Sequence, residues 1–188
     1  MTVYIFDMGG VVAYNTDVFP DVFACLGISG EQFLTFAGQD LEKLMTGKVT
    51  ADEFWRSFST SYGKNVDEEL FGKFFRPAID QGVIEIIKQL KNDSRVVCGT
   101  NVFDSHYEYL MRRGNYDIFD AVYASNKIGL SKPHPNFYRY IINKEEITPE
   151  DAIFVDDLAG NVAAAKKLGI PSILFTDSQS LGQQIKGL

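Results

Sequence analysis

Four places in the sequence set a reactive side chain at the end of a short apolar run or in a loop. Asp7 follows Val3-Tyr4-Ile5-Phe6 and precedes Gly9-Gly10, while Thr100 and Asn101 follow Arg95-Val96-Val97-Cys98-Gly99. Lys132 stands before Pro133, and Asp156-Asp157 follow Ala152-Ile153-Phe154-Val155. Singly, each has an ordinary explanation: Asp7 and Thr100 suit turns or helix caps, and Lys132 suits a solvated loop. Asp156-Asp157 says more, because adjacent carboxylates repel unless positive charge lies between or beside them. A hard divalent cation is the natural partner for such oxygens.

These residues need elements to hold them. The apolar runs read as buried strands that stop at polar residues, and Ala121-Val122-Tyr123-Ala124 and Ser172-Ile173-Leu174-Phe175 bring the number to five. Between them, Val83 to Leu90 carries an apolar stripe at helical spacing. Asn161 to Leu168 is alanine-rich and is followed by Gly169, where a helix-ending glycine belongs. Strands alternating with helices predict an α/β fold, a Rossmann-like doubly wound parallel sheet. In such sheets ligands bind just beyond the carboxyl ends of the strands.

Residues 14–80 break the alternation. They are rich in aromatics (Phe33, Phe54, Trp55, Phe58 and Phe71 among them), and Thr50-Ala51-Asp52-Glu53 has the form of a helix-starting capping box. This predicts a small helical domain inserted between the first two strands, with the aromatics as its core. The expected division is a core domain of residues 1–13 and 81–188 and an inserted domain of residues 14–80.

In this order, the strand-Asp7-Met8-Gly9-Gly10-Val11-Val12 start, the strand-Thr100 end, Lys132-Pro133 and the strand-Asp156-Asp157 end with Asn161 resemble the four motifs of the haloacid dehalogenase superfamily. The resemblance spans the whole chain. It implies an aspartyl nucleophile at Asp7, a phosphoryl-binding hydroxyl at Thr100 and a charge-neutralising lysine at Lys132. It also implies Mg²⁺ held by Asp7, Asp156, Asp157 and the backbone carbonyl of Gly9, and a helical cap matching residues 14–80. Physical chemistry agrees with those roles. A carboxylate attacking a phosphate dianion needs its charge masked, by Mg²⁺ on one side and Lys132 on the other. Thr100, Asn101 and backbone N–H groups of Met8 to Gly10 are then expected to bind the phosphoryl oxygens.

One position departs from that pattern. Most phosphatases of the superfamily carry a second Asp two residues after the nucleophile as general acid and base, and here the residue is Gly9. Losing such a group typically forfeits about 10² to 10⁴ in rate. Three readings follow: a substrate with a good leaving group, such as a sugar 1-phosphate; a substitute acid from the cap or water; or a silent phosphate-binding protein. The start Phe6-Asp7-Met8-Gly9-Gly10-Val11 is similar to a bacterial subgroup that includes an α-glucose-1-phosphate phosphatase and is akin to the phosphatase domain of soluble epoxide hydrolases. The first reading therefore leads. Dehalogenation would use the same nucleophile on carbon without a metal, which leaves Asp156-Asp157 unexplained.

Composition narrows the partners. The chain has 188 residues, 45% hydrophobic and 23% charged, which suits one α/β domain with an insertion. A net charge of −7 argues against bulk binding of nucleic acid, and a small phosphorylated metabolite needs only a local positive site. Cys25 and Cys98 form no metal or disulfide framework, and Cys98 reads as a core residue. With no apolar stretch of membrane-spanning length and no visible secretory signal, a cytoplasmic location and no membrane partner are expected. His106 and His134 are expected to be structural, and Arg76 is a candidate substrate contact.

Overall fold

The computed structural model describes residues 2–187. Its centre is a five-stranded parallel sheet built from β1 (Val3–Phe6), β4 (Arg95–Thr100), β5 (Ala121–Ala124), β6 (Ala152–Asp156) and β7 (Ser172–Leu174), in the order β5-β4-β1-β6-β7. The parallel register pairs Phe6 with Cys98 on one side and with Val155 on the other. All four β1 residues are buried, as a central strand covered by helices on both faces requires. After β1 the chain builds outward through β4 and β5, then returns to the opposite side of β1 for β6 and β7. The carboxyl end of β1 therefore lies at a topological switch point, where an open α/β sheet leaves a crevice. Small boundary shifts separate this sheet from the sequence reading. Thr100 is the last residue of β4, paired with Ala124, and β7 stops at Leu174.

The helices are α6 (Gln81–Leu90), α7 (Asp104–Arg112), α8 (Ser125–Ile128), α9 (Pro135–Glu145), α10 (Ala159–Lys166) and α11 (Ser178–Lys186). The α6 N-terminus is set by Asp80, whose Oδ1 accepts from the N–H groups of Gly82 (2.8 Å) and Val83 (3.1 Å). The α10 helix begins two residues earlier than the alanine pattern indicates and ends at Lys166. Gly169, at φ 83°, turns the chain while Ile170 N–H closes on the Ala165 carbonyl at 3.2 Å. None of the described helices is long and apolar enough to cross a membrane.

The interruption after β1 is bracketed by a two-residue antiparallel pair, β2 (Ala13–Tyr14) with β3 (Ala78–Ile79). Between them lie α1 (Phe19–Leu26), α2 (Gly30–Ala37), α3 (Asp40–Met45), α4 (Ala51–Tyr62) and α5 (Leu70–Phe74). The Thr50 box forms: Glu53 N–H donates to Thr50 Oγ1 (3.2 Å) and Thr50 N–H to Glu53 Oε2 (2.8 Å). Phe33, Phe54, Trp55, Phe58 and Phe71 are buried against one another, with Phe33–Phe58 centroids 5.0 Å apart and Trp55–Phe71 4.9 Å apart. Phe71 also stacks on Phe103 at 4.5 Å, so the aromatic core runs unbroken from the insertion to the segment after β4. Each such ring pair adds about 0.5–1.5 kcal/mol beyond its buried area.

Candidate active site

Asp7 leaves β1 with its N–H still on the ladder, donating to the Val155 carbonyl at 2.9 Å. The next residues form a turn closed on itself: Val12 and Ala13 N–H donate to the Met8 carbonyl (3.0 and 2.7 Å), and Gly10 N–H to the Ala13 carbonyl (2.7 Å). Met8 N–H donates to Asp7 Oδ1 at 2.7 Å, which fixes the carboxylate. Two of the three N–H groups expected to bind phosphate, those of Met8 and Gly10, are thus engaged inside the loop. The task of Gly10 is steric instead. At φ 77°, a β-carbon there would stand 2.2 Å from Asp157 Oδ2, so its absence makes room for that carboxylate.

Lys132 is buried at the centre of the site, not solvated in a loop. Its Nζ lies 2.8 Å from Asp7 Oδ2 and 2.7 Å from Asp156 Oδ2. Burial works against its charge, but the two carboxylates outweigh it and raise its pKa. Asn101 holds the Lys132 backbone by both ends of its amide: Nδ2 donates to the Lys132 carbonyl (2.8 Å), and Oδ1 accepts from Lys132 N–H (2.9 Å). Asn101 thus positions the lysine and also lines the cavity in which the sequence suggested a phosphate contact. Asn161 likewise orients a carboxylate. Its Nδ2 donates to Asp156 Oδ1 (3.0 Å) and Oδ2 (3.1 Å), and its carbonyl accepts from Tyr138 Oη (2.9 Å). With Leu158 N–H also on Oδ1 at 2.8 Å, the fully buried Asp156 has donors on both oxygens.

Carboxylate oxygens of Asp7, Asp156 and Asp157 lie within 4.8 Å of one another. One ammonium faces three acids. Burial first, and then the charges of Asp156 and Asp157, push Asp7 up to about 7 against the pull of Lys132. Burial and Asp156 raise Asp157 as well. An all-oxygen set with surplus negative charge fits a divalent cation. Because Asp156 is already held by Lys132, Asn161 and Leu158, Asp157 and Asp7 are the carboxylates best placed to take such an ion directly.

These side chains open into a cavity of about 290 Å³. Thr100, 2% exposed, lines it with a hydroxyl whose contact in the protein is a long one, 3.4 Å to the Asn101 carbonyl. Gly9 also faces it, and a β-carbon on Gly9 would meet Thr16 Oγ1 at 3.2 Å. The rest of the lining is largely apolar, with Val18, Phe19, Met45 and Phe75 from the insertion side and Phe103 and Leu110 from the sheet side. Sequence reasoning missed this half of the site, because apolar residues lining a cavity look like core residues. His106 is structural, though buried: its ring stacks on Phe75 at 3.8 Å, and Nε2 lies 3.1 Å from the Phe71 carbonyl. His134 caps α9 by accepting from Asn136 N–H, and Arg76, which donates to the Phe75 carbonyl, is not among the cavity residues.

Comparison with known proteins agrees with this geometry. The chain is 26% identical to a sesquiterpene phosphatase of Aspergillus oryzae, covering 98% of this chain and 94% of that one. It is 26% identical to a D-ribitol-5-phosphate phosphatase of Bacteroides thetaiotaomicron, covering 88% and 87%. A match of 31% identity to a drimenol cyclase of Aspergillus calidoustus covers 56% of this chain but spans only a fifth of that protein's length. Among solved structures, a predicted haloacid dehalogenase-like hydrolase of Porphyromonas gingivalis superposes with a TM-score of 0.77 at 26% identity, over 92% of this chain and 90% of that one. A family enzyme of Bacteroides thetaiotaomicron, solved with magnesium and inorganic phosphate, gives 0.77 at 20% identity over 96% and 98%. The family profile described as haloacid dehalogenase-like hydrolase matches residues 1–169. With that match over nine-tenths of its length, the chain is a member of the haloacid dehalogenase-like hydrolases.

Proposed function

We propose that the protein is a magnesium-dependent phosphomonoesterase that moves the phosphoryl group of a small metabolite to Asp7 and from there to water. The observation that carries this reading is the buried Lys132 ammonium, 2.8 Å from Asp7 and 2.7 Å from Asp156, in the lining of a ligand-sized cavity. A carboxylate so held is oriented and partly neutralised, as a nucleophile meeting a dianion must be. Met8 N–H on Oδ1 and Lys132 on Oδ2 orient the Asp7 carboxylate for attack on phosphorus. Thr100 Oγ1 offers a donor to a phosphoryl oxygen, where charge builds in the transition state. Asp7, Asp157 and the Gly9 carbonyl would hold Mg²⁺, with Asp156 closing the set from behind through Lys132 and Asn161. When bound, Mg²⁺ supplies the positive charge that lets phosphate approach the acids. Water then cleaves the aspartyl-phosphate, which divides one slow hydrolysis into two faster steps.

Residues 14–80 act as a cap over a core of residues 1–13 and 81–188, since α1, α3 and the segment before β3 contribute cavity walls. The phosphatase names of both near-full-length relatives support the reaction. Their substrates differ in kind, one a terpenoid and one a polyol phosphate, so likeness alone does not favour the sugar phosphate that the start motif suggests. The location proposed is a reducing one, the cytoplasm, in keeping with the exposed free thiol of Cys25.

Release of p-nitrophenol from p-nitrophenyl phosphate, with Mg²⁺ and with chelator, tests the reading. Turnover that falls at least 10³-fold in Asp7→Asn and disappears on chelation is expected. No release above the Asp7→Asn background would instead leave a silent phosphate-binding protein. Turnover that survives complete chelation would overturn the metal assignment.

A further inference from the structure

The cavity lining has two unlike parts. Asp7, Thr100, Lys132 and Asp157 form the phosphate-facing part, whereas Val18, Phe19, Met45, Phe75, Phe103 and Leu110 dominate the rest. Polar residues in that second part are Thr16, Asp17, His106 and Tyr116, and of these Thr16 Oγ1 has no hydrogen bond among the described residues. Asp17 Oδ1 accepts from Phe19 N–H at 3.0 Å, and His106 lies flat on Phe75 with Nε2 directed to the Phe71 carbonyl. Tyr116 is 3% exposed, and its hydroxyl is buried without a hydrogen-bond partner. Lys132 is the only lysine or arginine among the lining residues, and neither glutamine nor glutamate joins it.

Such a wall suits some phosphate esters and penalises others. A sugar or polyol brings several hydroxyls, and each one buried without a partner weakens binding by about tenfold. A hydrocarbon gains affinity instead, by about fourfold for each methylene removed from water. We propose that the substrate of this site is a monophosphate ester of an apolar alcohol, alkyl or alkenyl, lodged between α1, α3 and α7. Its body carries at most one hydrogen-bonding group, which meets Thr16 Oγ1. This rests on the reading of Asp7 and its neighbours as the phosphate end, and on water or a cap group giving the leaving alkoxide the proton that Gly9 cannot supply.

Phosphonates, whose carbon–phosphorus bond resists hydrolysis, test the proposal on the wild-type protein. With Mg²⁺ present, n-alkylphosphonates from butyl to decyl and the phosphonate analogue of glucose 6-phosphate are titrated by calorimetry at several temperatures. Affinity should rise about three- to fourfold per methylene until the cavity is filled, with an increasingly negative heat-capacity change. Octylphosphonate should bind at least 30-fold more tightly than the sugar analogue. A flat alkyl series, or a sugar analogue bound as tightly as octylphosphonate, overturns the proposal. Turnover of p-nitrophenyl phosphate, measured in parallel, judges the phosphatase reading separately. A steep alkyl series without turnover would retain the apolar site and refute the enzyme.

Discussion

The Asp7 carboxylate is restrained by its neighbour Met8 and by the distant Lys132, which also binds Asp156, and the partner missing from the proposed mechanism is local. Gly9 leaves no acid beside the leaving group, and Thr16 Oγ1 occupies part of the space, 3.2 Å from where a β-carbon would stand. Gly9→Asp alone therefore crowds Thr16, and Thr16→Ala relieves the contact. The double variant Gly9→Asp/Thr16→Ala is expected to raise kcat on alkyl monophosphates, whose alkoxides are poor leaving groups, by about 10²-fold or more. The p-nitrophenyl ester, whose leaving group needs no proton, should change much less. Steady-state kinetics on the two substrate types checks this, and an equal effect on both would mean that another group already supplies the proton.

The elements that close the cavity are joined by a small buried knot. Phe71 of α5 stacks on Phe103, and the Phe71 carbonyl faces His106 Nε2 on α7. The groups against His106 are Phe75, Phe103 and that carbonyl, with no carboxylate among its recorded partners. Burial accordingly lowers its pKa from 6.5 to about 4, opposed only by the hydrogen bond. The folded state resists a proton that the unfolded chain accepts. The stability contributed by neutral His106 is thus complete above pH 6.5 and is lost as pH falls through about 4. Between pH 7.5 and 4.5 the wild type should lose roughly 2 kcal/mol more stability than His106→Gln. Urea unfolding at the two pH values measures this, and carboxylate titrations common to both proteins cancel. Equal losses would mean that His106 is not shielded from water.

For the whole molecule, the order β5-β4-β1-β6-β7 sets the ends of β4, β1 and β6 side by side and so gathers three acids around one lysine. That surplus of negative charge favours a divalent cation at the cluster. Mg²⁺ at about 100 times its Kd should stabilise the protein by about 2.7 kcal/mol. For a chain of this size, that corresponds to a rise in Tm of roughly 5 to 10 °C. Asp157→Asn should abolish the Mg²⁺-dependent rise. Asp156→Asn should instead lower Tm without the ion, because Lys132 would lose one of its two buried counter-charges. Thermal scans with Mg²⁺ and with chelator separate the two roles, and identical behaviour of the variants would refute the division of labour.

Much of this was legible from the chain alone. Short apolar runs with a polar stop carry their own strand signal, because a parallel strand buried on both faces is apolar at every position, as β1 is. The order of Asp7, Thr100, Lys132 and Asp156-Asp157 pointed to residues that the fold gathers at the strand ends, and the Thr50 box and the aromatics foretold inserted helices, whose aromatic core is continuous with the segment after β4. Tertiary structure decided what needed through-space neighbours. It showed Asn101 holding the Lys132 backbone and Asn161 orienting Asp156, engaged the N–H groups of Met8 and Gly10 within the loop, and tied Gly10 to Asp157. It also showed that Phe19, Phe75 and Leu110 line a cavity while similar residues fill the core. Sequence patterns report which face of an element is apolar. They do not report whether that face meets another side chain or an open space, since burying apolar surface against either protein or ligand takes it out of water alike.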